Sequence, residues 1–126
     1  MIITKIKEGY IDVPKISKED TIKNGLYILV YNGSIIKVGI YGEGVNSTNK
    51  SRFSAYRSKG KNIVPGNGSY KTMKVLNENL KVGDTVEARF KRVPEDRIID
   101  GYKWKVDLYH EEKKLKDIYK DSLWLK

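Results

Sequence analysis

Residues 25–42 read GLYILVYNGSIIKVGIYG. Two runs rich in β-branched and aromatic residues flank an Asn32-Gly33 dipeptide, the strongest short-range signal for a two-residue hairpin because both residues accept positive φ. An antiparallel pair turning there constrains what its neighbours can do. Side chains two apart on a strand share a face, and cross-strand neighbours lie about 5 Å apart. Tyr27, near the start of the first strand, is therefore expected opposite residues 37–39 near the end of the second. A phenol and the Lys37 ammonium would then meet, and a cation at that distance favours the phenolate. The plainer alternative is that Tyr27 and Tyr31 are ordinary strand aromatics and Lys37 an edge-blunting charge.

The rest of the chain reads as elements that could pack on this hairpin. Residues 1–24 alternate weakly, with Pro14 and the charged run Lys18-Glu19-Asp20 interrupting, and predict an arm or edge strand leading into a domain over 25–126. After Gly42 and Gly44, the polar string Asn46-Ser47-Thr48-Asn49 can cap a helix starting near Lys50 that carries Arg52, Phe53, Tyr56 and Arg57. Pro65-Gly66-Asn67-Gly68 forbids regular structure. Ser69 can cap a second helix running to Leu80, with Tyr70, Met73, Leu76 and Leu80 on one face and Gly83 as its stop. TVEARFKRV at 85–93 alternates cleanly and predicts a half-buried third strand. Residues 102–119 have helical periodicity, with Trp104, Leu108, Leu115, Ile118 and Tyr119 in one stripe, Val106 and His110 facing away, and Glu111 and Glu112 inside or beside the stripe. Asp107 and Glu78 read as solvent-facing charges, and Trp104 and Trp124 as core. The expected fold class is α+β, a small antiparallel sheet of about three strands flanked by helices.

Composition bounds the chemistry. A chain of 126 residues with 39% hydrophobic residues supports one modest core. The net charge of +9 attracts polyanions, making nucleic acid the first partner to consider against the blander reading of a lysine-rich soluble protein. With no cysteine and a single histidine, thiol nucleophiles, thiolate zinc sites and histidine metal clusters are excluded. No apolar run approaches the roughly 20 residues that span a bilayer, so a soluble, cytoplasmic protein is expected. Arg52 and Tyr56, four apart, fall on one helical face within a basic cluster of Lys50, Arg57, Lys59 and Lys61. A solvated face explains the charge run but not the company it keeps. Gly39, Gly42 and Gly44 match neither phosphate-loop fingerprint, and turn geometry accounts for them.

Taken in order, these residues resemble the GIY-YIG endonucleases. Gly25-Leu26-Tyr27 looks like the first signature triplet, and Lys37-Val38-Gly39 sits where the second belongs, with lysine in place of tyrosine. Arg52 followed by Tyr56 resembles the family's helix motif. RFSAYRS at 52–58 and NLKVGDTVEARFKRV at 79–93 are similar to segments of the phage endonuclease II and restriction-type branch, and the likeness runs from about Gly25 to Trp124. The family's closing motif is degraded, because Asp121-Ser122-Leu123-Trp124-Leu125 lacks its Pro and Asn.

The resemblance implies a single-metal phosphodiesterase acting on double-stranded DNA in a bacterial or phage-infected cytoplasm. Tyr27 would be the general base, prepared by Lys37. Arg52 would stabilise transition-state charge, and Tyr56 would position phosphate or water. Counting back from Trp124, Glu112 would hold one Mg²⁺ or Mn²⁺, with Glu111 as its competitor. Lys50, Arg57, Lys59 and Lys61 would hold the duplex backbone. Because one site cuts one strand, a homo-oligomer on DNA is a further expectation. The rival reading is a catalytically inactive module of the same fold, or another basic nucleic-acid-binding protein.

Overall fold

The computed structural model describes residues 1–42, 48–66 and 68–125. The opening hairpin forms as β3 (Gly25–Tyr31) and β4 (Ser34–Tyr41), turning through Asn32 and Gly33 at φ 49° and 77°; chain order also gives β1 (Ile2–Lys7) and β2 (Tyr10–Asp12) before them. Its register sets Tyr27 against Gly39, Leu29 against Lys37 and Gly25 against Tyr41. A bulge where Leu29 and Val30 face Lys37 and Ile35 adds one residue to β4 near the turn.

Five strands, rather than the expected three, make the main sheet. β5 (Thr85–Arg92) pairs with β3 on one side and β1 on the other, giving the all-antiparallel order β2-β1-β5-β3-β4. The segment expected as an arm or edge strand thus supplies an edge strand, β2, and an interior one, β1. The difference arises from burial. Ile3, Ile11, Val13 and Ile16 enter the same core as Tyr27, Leu29, Phe53, Tyr56 and Leu76, and alternation over strands this short is a faint signal until a sheet covers it. Lys5 is buried beside them. Its ammonium donates to the carbonyl oxygens of Asn77 (2.6 Å) and Leu80 (2.9 Å) at the end of the second helix, α2 (Gly68–Asn79).

Helix α1 (Asn49–Lys61) starts where the polar string suggested. Thr48 caps it, its hydroxyl accepting from Ser51 N at 3.1 Å while the Ser51 hydroxyl accepts from Thr48 N. Gly44, Asn46 and Ser47, and Asn67 in the next loop, lie outside the described residues. Phe53 and Tyr56 are buried against the sheet, and Gly60 lets the helix press on the Ile11 carbonyl, a contact that any Cβ would obstruct. Helix α2 buries Met73 and Leu76. Gly83 (φ 94°) follows, its N–H donating to Lys5 O at 2.8 Å.

The expected helix over 102–119 is two different structures. Asp100-Gly101, both at positive φ, turn a separate hairpin of β6 (Asp96–Ile99) and β7 (Tyr102–Lys105), and α3 begins only at Leu108 and ends at Ile118. Asp107, read as a solvent-facing charge, is exposed and is also the N-cap of α3, accepting from Tyr109 N at 3.0 Å and His110 N at 3.4 Å. The four-residue spacing of Trp104 and Leu108 imitates a helix, but a four-residue strand is too short to declare its own period. Trp104 is therefore 57% exposed instead of core, and Val106, expected to face away, is buried with Leu26, Val93 and Leu108. Trp124 does pack on the core, its ring 5.3 Å from that of Tyr31. Glu78 is solvent-facing and pairs with Lys74. No helix among the described residues is long and apolar enough to cross a membrane.

Candidate active site

The β3–β4 hairpin forms one edge of the main sheet, α1 packs on a face of that sheet through Phe53 and Tyr56, and α3 packs alongside β4. The three elements enclose a cleft of about 320 Å³ lined by Tyr27, Lys37, Gly39, Ile40, Tyr41, Arg52, Tyr109, Glu112 and Lys116. Hairpin register determines the first part of it. Tyr27 points over Gly39, and a Cβ on Gly39 would overlap the Tyr27 ring and hydroxyl. The paired glycines of the opening stretch therefore make room for tyrosines: Gly39 for Tyr27 and, across the same ladder, Gly25 for Tyr41. Lys37, two residues before Gly39, shares that face.

Helix α1 supplies the second part. Tyr56 OH lies 2.5 Å from Tyr27 OH, and Phe53 packs edge-on against the Tyr27 ring with centroids 5.0 Å apart, so the phenol is held on two sides. One turn earlier, the Arg52 guanidinium lies over the Tyr56 ring, 5.0 Å from its centroid. Arg52 Nε is buried and has no hydrogen-bond partner among the described residues. Arg52 as a residue lines the cleft, and a guanidinium there is suited to an oxygen anion that arrives with a ligand.

Helix α3 supplies the carboxylate that lines the cleft, Glu112, whose Oε1 is 3.4 Å from Lys116 Nζ one turn on. Its competitor Glu111 points elsewhere. It pairs with Arg97 at 3.3 Å and Lys114 at 3.8 Å and lines an adjoining apolar groove with Leu26, Ile28, Leu115 and Ile118, which shares only Tyr27 with the cleft.

Electrostatics in the cleft follow from burial and crowding. Burial pushes the Tyr27 phenol well above its ordinary value, the Tyr56 phenol adds to this, and Arg52 opposes it. Burial likewise lowers Lys37, with the Arg52 and Lys116 cations contributing and Tyr56 and Glu112 offsetting part. Burial alone would lower Arg52, but the Tyr56 and Tyr27 oxygens outweigh it and leave its value raised. At rest the neutral phenol is thus favoured, and the cation that opposes this is Arg52 rather than the expected Lys37, which stands opposite Leu29 in the ladder. Tyr41, at the end of β4, is pushed up to about 12 by burial.

Of the residues predicted for the site, Tyr27, Lys37, Arg52, Tyr56 and Glu112 come together. The basic cluster does not join them. Lys50 and Arg57, seven apart, share the opposite face of α1 and line a small depression with Pro14 and Ile16, Lys59 Nζ lies beside Gly66, and Lys61 is exposed. Tyr41, Tyr109 and Lys116 are cleft residues that sequence reasoning passed over. Their spacing was available, since Tyr41 lies two after Gly39 on one strand, and Tyr109 and Lys116 lie one turn either side of Glu112.

A divalent cation is compatible with this donor set only in a particular way. Among the described residues no three His, Cys, Asp or Glu side chains cluster, and Glu112 sits among Lys37, Arg52 and Lys116. One carboxylate suits a hard cation that keeps its waters and completes its shell with substrate oxygens.

No family model matches the sequence, and no curated protein matches it. A solved structure does share its fold, that of a point mutant of bacteriophage T4 EndoII. It is 13% identical and superposes with a TM-score of 0.60 over 95% of this chain and 85% of its own. The architecture, an α+β domain built on a five-stranded antiparallel sheet with three helices, is thus similar to that of a phage endonuclease.

Proposed function

We propose that this chain is a nuclease of the GIY-YIG type, closest to the phage endonuclease II branch, and that it hydrolyses phosphodiester bonds in double-stranded DNA with Mg²⁺ or Mn²⁺. The observation that carries the reading is the convergence of Tyr27, Lys37, Arg52 and Glu112, from a hairpin and two helices, on one cleft, with the buried Tyr56 hydroxyl bonded to Tyr27 behind them.

Phosphodiester hydrolysis needs a base for water, charge compensation at the phosphoryl oxygens and stabilisation of the leaving oxygen. Glu112 would hold the divalent ion, which supplies positive charge at the phosphoryl oxygens and at water. Arg52, which lines the cleft and lies over the Tyr56 ring, offers its guanidinium to a phosphoryl oxygen. Tyr27, fixed by Tyr56 and Phe53, takes the proton of the attacking water at its phenol oxygen. Arg52 opposes the cost of its anionic form, and Lys37 adds a second cation to the cleft wall. Tyr56, sharing a hydrogen bond with Tyr27, orients the phenol lone pair. Such a protein would act in a bacterial or phage-infected cytoplasm, with two copies on DNA where both strands are cut.

Incubation of supercoiled plasmid with the protein, with and without Mg²⁺, tests the reading. Nicked or linear product is expected only with the metal, falling at least about 100-fold in Arg52→Ala and Glu112→Gln. Unchanged plasmid at high protein concentration, with duplex binding retained, would leave an inactive binding module instead.

A further inference from the structure

β6 and β7 form a two-stranded ribbon that pairs with no strand of the main sheet, and every one of its eight strand residues is exposed. An isolated hairpin is marginal in water, yet this one displays Ile98 (69% exposed), Ile99 (51%), Tyr102 (71%) and Trp104 (57%). Its register sorts the side chains. Arg97 faces Trp104 and Ile99 faces Tyr102 on one side, while Asp96 faces Lys105 and Ile98 faces Lys103 on the other. One face is aromatic with a guanidinium, and the other carries two lysines.

The root of the ribbon is tied to the candidate site. Val106 N donates to Glu95 O at 2.8 Å, Arg97 pairs with Glu111 on α3, and Asp107 caps that helix, whose first turns bring Tyr109 and Glu112 to the cleft. On the other side Asp96 and Lys105 line a cavity with Gly42, which follows Tyr41 of the cleft wall. A duplex with one phosphate in the cleft therefore passes beside the ribbon.

We propose that the β6–β7 ribbon is a nucleic-acid contact arm that enters a groove of that duplex and lays Tyr102 and Trp104 against the bases. The proposal rests on the nuclease reading above. Two-stranded ribbons fit the major groove, about 12 Å wide, where apolar and aromatic side chains pack against base edges and thymine methyls. Charge argues for this occupant over a second copy of the chain, because two molecules of net charge +9 repel each other whereas a polyanion is attracted. Charge also specifies the kind of contact. Lys103 is paired with Asp96 (3.4 Å) and Arg97 with Glu111, so the arm contributes apolar contact and shape more than phosphate neutralisation.

The chain has only two tryptophans, and Trp124→Phe leaves Trp104 as the sole reporter. This variant is titrated with a mixed-sequence duplex of roughly two helical turns, checked intact by gel afterwards, while Trp104 emission and acrylamide quenching are followed. Trp104 should become quenched by the duplex and shielded from acrylamide. In parallel, Tyr102→Ala/Trp104→Ala in the otherwise unaltered chain should bind the duplex about 10- to 100-fold more weakly, with an unchanged slope of log K against log salt because no phosphate contact is lost. Duplex binding with Trp104 still open to acrylamide, or with the double variant unaffected, overturns the arm and leaves the DNA reading standing. No binding of duplex at any salt removes both. Shielding of Trp104 without DNA, rising with protein concentration alongside a doubled mass by light scattering, shows that a second copy is the occupant and also overturns the proposal.

Discussion

Gly39→Ala gives the sharpest test of how the hairpin builds the site. The added methyl would fall within the van der Waals envelope of the Tyr27 Cε1, Cζ and hydroxyl oxygen. The ring has nowhere to retreat, because Tyr27 is 1% exposed, Phe53 packs edge-on at 5.0 Å and Tyr56 OH is 2.5 Å from its oxygen. Overpacking of this kind costs about 1–3 kcal/mol, and losing the buried hydroxyl pair adds about 1 kcal/mol. The expected total is about 3 kcal/mol, or a fall of about 10 °C in Tm for a domain this size. Urea denaturation followed by circular dichroism measures it.

The collision itself is isolated by a double-mutant cycle. Tyr27→Leu alone should cost about 2 kcal/mol as the phenol is lost, but it removes the atoms that the new methyl at position 39 would strike. The double variant should therefore lose about 2 kcal/mol less than the sum of the single losses. Gly25→Ala is the control, since its methyl would strike the Lys91 carbonyl as well as Tyr41, and Tyr41→Leu cannot relieve a backbone clash. Additivity of Gly39→Ala and Tyr27→Leu within about 0.5 kcal/mol would refute the claim that glycine is required there to seat the phenol.

Lys5→Met should cost about 2–3 kcal/mol in urea titration, because the carbonyls of Asn77 and Leu80 lose a buried charged donor; a cost below about 0.5 kcal/mol would mean that water replaces it freely. The raised Tyr27 pKa makes its base form scarce near neutrality, so cleavage rates should climb about tenfold per pH unit on the alkaline side while the fold holds, and a flat profile would remove Tyr27 as the base. Tyr41, raised to about 12, binds its proton more tightly folded than unfolded. Its stabilising share is complete below the ordinary tyrosine value and is lost as pH rises toward 12, visible as late tyrosinate absorbance and reduced urea resistance in that window. Lys116 is 3.4 Å from Glu112 and competes with any divalent ion for that carboxylate. Lys116→Met should tighten Mn²⁺ binding about 3- to 10-fold by electron paramagnetic resonance, whereas Glu112→Gln should weaken it.

Local chemistry in the sequence already specified much of the site. The Asn32-Gly33 turn, the alternation on either side and the Thr48 cap act over a few residues. They are enough to set Tyr27 against Gly39, to put Lys37 on the same face, and to turn Arg52 and Tyr56 to one side of a helix. What those short-range signals could not specify is which surfaces become covered. β1 and β2 belong to the sheet because Ile3, Ile11 and Val13 are buried by helices distant in sequence, and Trp104 lies on an exposed ribbon although its spacing to Leu108 imitates a helical stripe. Which of Glu112 and Glu111 lines the cleft with Arg52 is of the same kind. Adjacent on α3, they point about 100° apart, and only the packing of that helix beside β4 sends one toward Arg52 and the other toward Arg97. Period and turn chemistry are properties of a segment, whereas burial and convergence belong to the folded chain as a whole.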